Sequence, residues 1–256
     1  MKSISLYHDN GSFLTRLHPF SKLFYVLSAV LFPLLAGGIP PFFLPILLSL
    51  ALLVSGRILK RALPLLAFSL TIIATILLIQ GLFAAYNRTP LLSLGGMRFY
   101  REGLRTGLRS GLNILNMLLS FAVLVLSTKP SELVEELEKK GFSPKFGYIL
   151  NSVFQIIPEM LGGMRTISDA QRSRGMETEG KLSVRLRAFL PLISPVVMSA
   201  LTTTRERAVA LEIRGFSSGE KKTYLYSHPY HTSDRLMKWG SLLLLPLAVF
   251  LRLFPF

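Results

Sequence analysis

Between residues 23 and 56 the chain carries no charged side chain, an unbroken run of 34 residues. One helix of that length would measure about 51 Å, far beyond a hydrocarbon core of about 30 Å. The run contains its own break, Gly37-Gly38-Ile39-Pro40-Pro41. It therefore reads as two short apolar helices, about 20–36 and 41–56, joined by a turn. Arg57, Lys60 and Arg61 follow, and then 62–87, 26 uncharged residues rich in Leu and Ile. A loop with Pro90, Gly95 and Gly96 leads to a helix at about 103–128, whose final 19 residues carry no charge. A last apolar helix lies at about 235–254.

Composition excludes the other classes. Half of the 256 residues are hydrophobic, only 17% are charged, and there is no Cys. Soluble domains carry about 25% charge. A disordered chain lacks this much Leu, Phe and Val, and a disulfide scaffold needs Cys. The expectation is an all-α, polytopic membrane protein with about five transmembrane helices. The first 22 residues are polar and hold no apolar stretch ending in a small-residue cleavage site, so no signal peptide is expected there.

Lys and Arg total 29 against 14 acids, a net charge of +15. Residues 129–222 hold 15 basic and 11 acidic side chains; the rest holds 14 and 3. The unbalanced charge thus sits beside apolar segments, where it marks membrane boundaries and meets the lipid bilayer, and no nucleic acid partner is expected. The same rule places the amino terminus and the 57–61 loop inside and 88–102 outside. Arg88, Arg98 and Arg101 run against it. With Arg105 and Arg109 they form a basic cluster that reads either as snorkelling at the interface or as an anion or headgroup site.

Three regions follow: a membrane domain at 1–128 with about four crossings, a cytoplasmic helical region at 129–222, and a loop with a terminal transmembrane helix at 223–256. In the middle region, 131–140 starts acidic and ends basic before Gly141, as a helix dipole favours. Ser143-Pro144 reads as an N-cap with Pro at the first helical position, opening a helix to about Arg174 bent at Pro158. A third stretch, about 182–214, is interrupted by Pro191 and Pro195. Its uncharged middle, 188–204, is equally a crossing or a segment buried along the surface.

The strongest internal signal is a repeated hexad, Ala170-Gln171-Arg172-Ser173-Arg174-Gly175 and Ala210-Leu211-Glu212-Ile213-Arg214-Gly215. Each closes a long amphipathic helix. One reading is capping alone, with Gly as the stop and Arg offsetting the dipole. The other is a pair of helix ends, each offering one guanidinium to a carboxylate-lined groove on a partner, since its planar fork grips carboxylate in two places.

Catalytic and metal readings are weaker. His228 and His231 flank Pro229 with only Asp234 close by, an incomplete ligand set, so no metal and no cofactor are expected. Glu159, Asp169, Glu206 and Glu212 lie on Arg-rich helices and read as surface pairs rather than an acid–base cluster. Met160, Met164, Met176 and Met198 read as adaptable packing surface. No Gly-x-x-x-x-Gly-Lys-Ser/Thr loop exists in the chain, so any ATP hydrolysis must come from a partner. The firm membrane segments lack Asp and Glu, which argues against a stand-alone ion-coupled carrier. Asn113 and Asn116 read as interhelical hydrogen-bonding groups.

The two hexads resemble the paired Ala-Arg-Gly motifs of the transmembrane T subunit of energy-coupling factor transporters, the EcfT/CbiQ family. His18-Pro19-Phe20-Ser21-Lys22-Leu23 is similar to that family's His/Asp-Pro-x-x-Lys-Leu start. Pro130-Ser131-Glu132-Leu133, Pro158, Leu190-Pro191-Leu192, Arg207-Ala208 and Arg214-Gly215-Phe216 follow its order over nearly the whole chain. Ser173 and Ile213 depart from it, standing where the family has Ala.

The resemblance implies a non-catalytic coupling subunit of an importer for a vitamin or a transition-metal ion, in a bacterial or archaeal cell membrane. Its partners would be two ABC ATPase subunits and a membrane S subunit that captures the substrate. Arg174 and Arg214 would each dock in one ATPase, flanked by Ala170, Ser173, Gly175, Ala210, Ile213 and Gly215. The faces of about 146–170 and 188–211, on long cytoplasmic coupling helices, would touch the S subunit. The rivals are a stand-alone secondary carrier and an intramembrane enzyme.

Overall fold

A computed structural model describes residues 7, 10–84, 88–94, 97–175, 182–219, 223–224 and 230–253. It divides into two units, one built from 5–133 and 228–256 and the other from the segment 134–227.

The first unit opens with a single helical turn, α1 (Phe13–Arg16), and then α2 (Pro19–Ala36). His18 caps α2: its ring nitrogen accepts the Phe20 N–H, and Pro19 takes the first helical position, where no donor is missed. Gly37 ends α2 at φ 74°, donating its N–H to the Pro33 carbonyl. That left-handed conformation is open to Gly at no steric cost. A 3₁₀ turn at Pro40–Phe42 then leads into α3 (Phe43–Ser55). The uncharged run is thus broken at its Gly-Gly-Ile-Pro-Pro centre.

The remaining elements of this unit are α4 (Leu59–Phe83), a two-stranded antiparallel ribbon of β1 (Pro90–Leu94) and β2 (Met97–Tyr100), α5 (Arg101–Ser127) and α9 (Thr232–Leu253). The segment expected as a plain loop is therefore a hairpin. Pro90 opens β1, and Gly95 and Gly96 lie outside the described residues; a Pro- and Gly-rich composition alone does not distinguish a hairpin from a loop. Four helices, α2, α4, α5 and α9, are long and apolar enough to cross a membrane, and Pro40–Ser55 is apolar but shorter.

The core of this unit joins Tyr25, Val26 and Ala29 of α2, Ile46 and Leu53 of α3, and Leu119, Val123 and Leu126 of α5. A second cluster, Phe32, Ala36, Leu244 and Ala248, joins α2 to α9. Some polar groups inside are satisfied across helices, whereas the buried side-chain oxygen of Asn113, expected to bond between helices, has no hydrogen-bond partner among the described residues. Asn116 donates to the Ala29 carbonyl at 2.8 Å, and Tyr25 and Ser49 share a hydrogen bond of 2.7 Å. In a medium without water such groups must pair internally. The outward faces are apolar: Phe83 is 78% exposed and Leu47 70%, surface that lipid rather than water accommodates.

The segment 134–227 contains most of α6 (Pro130–Lys139), α7 (Pro144–Ser173) and α8 (Leu182–Ile213). α8 runs unbroken through Pro191 and Pro195, where an interruption was expected. Each proline forfeits one backbone bond, and the bonds of the remaining residues carry the helix past it. α8 does not reach the apolarity of the four membrane-length helices among the described residues.

Candidate coupling site

Local rules set the positions of the functional side chains. α6 stops at Gly141, φ 101°, with Gly141 N–H bonded to Glu138 O and Phe142 N–H to Leu137 O. This double closure is a Schellman cap. Near its end, Lys139 lies 3.1 Å from Glu135 and 2.8 Å from Glu136. Partial burial opposes the Lys139 charge, but the two carboxylates outweigh it and hold its pKa above the ordinary value. α7 then begins with Ser143 at the N-cap and Pro144 first in the helix, as expected, though the Ser143 hydroxyl makes no capping bond.

α7 and α8 cross, with 156–167 of one helix facing 196–207 of the other across a small cleft of about 80 Å³. Glu159 and Arg207 close one edge of that cleft as a salt bridge. The hydrogen bond to Glu159, then its charge, holds the Arg207 pKa above its ordinary value. One of the four acidic residues is thereby an interhelical pair, and among the described residues no group of three metal-ligating side chains forms. Met176 and His228 lie outside the described residues.

The hexads close the two helices as capping rules require. Gly175 has φ 90° and Gly215 φ 75°. Gly215 N–H bonds Glu212 O, and Phe216 N–H bonds Leu211 O, a second Schellman cap. Arg174 and Arg214 therefore sit at the last turn, exposed, and neither forms an ion pair among the described residues. Ala170 and Ala210 lie one turn earlier and are exposed. The exposed Ser173 hydroxyl donates to the Asp169 carbonyl, and Ile213 stands 81% exposed.

The crossing separates the two arginines. Glu159 pairs with Arg207, and Tyr148 meets Phe216, so the helices run in opposite senses. Tyr148, near the start of α7, packs with its ring tilted at 5.4 Å against Phe216, just past the end of α8. Arg214 shares a cleft of about 570 Å³ with Pro144, Lys145, Phe216 and Ser218. Arg174 stands at the other end of α7, which is about 45 Å long at 1.5 Å per residue. The repeat does not bring its arginines together; it places them at opposite ends of one helix pair. Lys145 beside Arg214 escaped the sequence reading, because only the antiparallel crossing brings them close.

An apolar stripe runs along the same helices. Phe146, Ile149, Val153 and Ile157 repeat on one side of α7, and Ile193, Val197 and Leu201 on one side of α8, each at least 41% exposed. Spacing of three and four residues aligns each set on one face.

The model of the family described as cobalt transport protein, CbiQ, matches residues 10–225. The energy-coupling factor transporter transmembrane protein EcfT of Listeria innocua is 28% identical over 261 residues, covering 95% of this chain and 93% of its own. The protein of the same name from Bacillus selenitireducens is 27% identical, covering 97% and 92%, and that of Macrococcus caseolyticus is 25% identical, covering 88% of each. With the match spanning most of its length and four membrane-length apolar helices in place, the chain belongs to the EcfT/CbiQ family, the transmembrane T subunits of energy-coupling factor transporters.

Proposed function

We propose that this chain is the non-catalytic coupling subunit of an importer, anchoring two ABC ATPases through Arg174 and Arg214 and passing their movement to a membrane S subunit. The observation that carries the reading is the placement of two exposed guanidinium groups, without an ion pair among the described residues, at opposite ends of one crossed helix pair. Two ATPases approaching each other would grip both ends, and a crossed pair held at its ends tilts or scissors when the ends move. Ala170, Ser173, Gly175, Ala210, Ile213 and Gly215 shape the two contacts, with the partner's carboxylates receiving each Arg. The region lies on the cytoplasmic side, where ATP is available, in a bacterial or archaeal membrane.

The apolar stripes of α7 and α8 support the second partner. Exposed aliphatic rows on helices too polar to span a bilayer are surfaces for another protein, here the S subunit. The substrate is a vitamin or a transition-metal ion, and the family's description as a cobalt transport protein supports the metal.

The decisive experiment is co-purification in detergent with candidate ATP-binding-cassette ATPases. The wild type should retain both ATPases. Arg174→Glu combined with Arg214→Glu should lose them while staying folded, because it sets carboxylate against carboxylate. A single Arg→Ala should weaken assembly by about 2–5 kcal/mol where the pair is desolvated. Full retention by the double-Glu variant would reduce both hexads to helix caps. Transport by the purified chain alone would hand the function to the carrier reading.

A further inference from the structure

We propose that the hairpin end of the α4–α5 pair holds an anionic phospholipid, its phosphate gripped by Arg101, Arg105 and Arg109 with Arg98 beside them. The three helical arginines recur every fourth residue, so they share one face of α5, rising about 6 Å per step. All four are exposed and none has an ion pair among the described residues. Adjacent side chains at this spacing suit a phosphate, which accepts two or more guanidinium forks at once.

The opposite face of α5 shows why the strip points outward. Gly103, Gly107 and Gly111 are buried there. A methyl placed at Gly107 would come within 3.3 Å of the Leu77 backbone, and one at Gly111 within 2.9 Å of Ile73. α5 is thereby pressed against α4 on its glycine side, and its arginines face whatever surrounds the pair.

Those contacts also set the depth. Gly81 lies against Leu104 and Phe99, Gly107 against Leu77, and Gly111 against Ile73. Arg109 is therefore level with 73–77 of α4, about 12 Å inward of Phe83 at 1.5 Å per residue. Nearer the hairpin α4 presents Leu78 and Ile79 outward, each 53% exposed. Snorkelling serves Arg101 and Arg105 near the hairpin, and Arg109 stands where the 19 uncharged residues 110–128 begin, a run about as long as the hydrocarbon core is thick. A cation at that boundary lies at the level of the lipid phosphates.

The protein does not supply the counterion here. Glu102 is the only carboxylate between Asp9 and Glu132. Its oxygens already accept the Thr89 hydroxyl at 2.6 Å and the backbone N–H groups of Arg88 and Thr89. It ties the base of the hairpin to α5 and leaves the strip unneutralised. Leu108, 38% exposed, adjoins the arginine face and offers apolar contact for an acyl chain. Charge above and apolar surface below match a phospholipid, with its phosphate on the strip and its tails along α4 and α5.

The test uses the full chain in nanodiscs of mixed phosphatidylglycerol and phosphatidylcholine, extracted gently and weighed by native mass spectrometry. The wild type should keep phosphatidylglycerol in preference to phosphatidylcholine. Arg101→Gln, Arg105→Gln and Arg109→Gln together should cut that retention about tenfold through loss of the charge-assisted bonds. Arg165→Gln with Arg205→Gln, equally exposed but elsewhere, should leave it unchanged. Equal retention of both lipids, or no loss in the triple variant, overturns the proposal. So does complete displacement by inorganic phosphate, which would mark a soluble-anion site, or an acidic protein that co-purifies through these arginines while the lipid count stays the same. Should the triple variant fail to fold, photo-crosslinkable phosphatidylglycerol on the wild type decides: adducts within 98–113 support the site and adducts elsewhere refute it.

Discussion

Lys22 and Asp234 are fully buried charges in the unit that holds the membrane-length helices, and each closes a helix end. The Lys22 ammonium donates to the Ser127 carbonyl at 2.8 Å, satisfying one of the acceptors that the end of α5 leaves open. Asp234 accepts the His18 N–H at 2.7 Å and the His231 N–H at 2.9 Å. It thereby caps α9 from its third position and pins the start of α2 to it. Tyr230 stacks on the His18 ring at 4.0 Å and covers the junction. Asp234→Ala strands one buried and one partly buried donor and should cost roughly 1–3 kcal/mol, read as a lower unfolding midpoint in detergent. An unchanged midpoint would mean that water replaces the carboxylate there. The motif around His18 and Lys22 was legible in the sequence, but its partners were not. Ser127 lies 105 residues from Lys22 and Asp234 lies 216 from His18, and no local pattern encodes such pairings.

At the scale of elements, glycines with different surroundings should respond in opposite ways. Gly111 faces Ile73 so closely that Gly111→Val must displace it, at about 1–3 kcal/mol for overpacking. Gly163, in the interior of α7, has open space where a methyl would go. Gly163→Ala should be neutral or stabilise α7 by up to about 1 kcal/mol. Thermal unfolding of both variants side by side checks the pair, and equal destabilisation would contradict the packing described. Gly215→Val should cost about 1–2 kcal/mol, since its φ of 75° strains any residue with a Cβ. Helix content by circular dichroism and ATPase retention then separate loss of the cap from loss of docking. Element positions were largely legible, because hydrophobic runs, Gly stops and Pro starts act within a few residues. The β1–β2 ribbon and the continuity of α8 were not, since a turn-rich segment and a pair of prolines each admit two backbone outcomes that neighbouring packing selects.

For the molecule as a whole, the exposed apolar stripes of α7 and α8 imply that this surface is completed by assembly. Hydrogen exchange of the chain alone, compared with the assembled complex, should slow within 146–170 and 191–211 and at both hexads, while α2 and α5 stay as they were. Slowing confined to the apolar helices of the other unit would place the partners elsewhere. The membrane class, the number of long apolar helices and the two Arg-Gly stops were set by the sequence itself. Each rests on a run or a period of a few residues, and a chain cannot avoid burying such runs or ending helices at such glycines. The antiparallel crossing that sends Arg174 and Arg214 to opposite ends, the cleft joining Arg214 to Lys145, and the outward turn of the α5 arginines were decided by tertiary structure. They depend on which faces meet across long stretches of chain, and that choice belongs to the packing of all the elements at once.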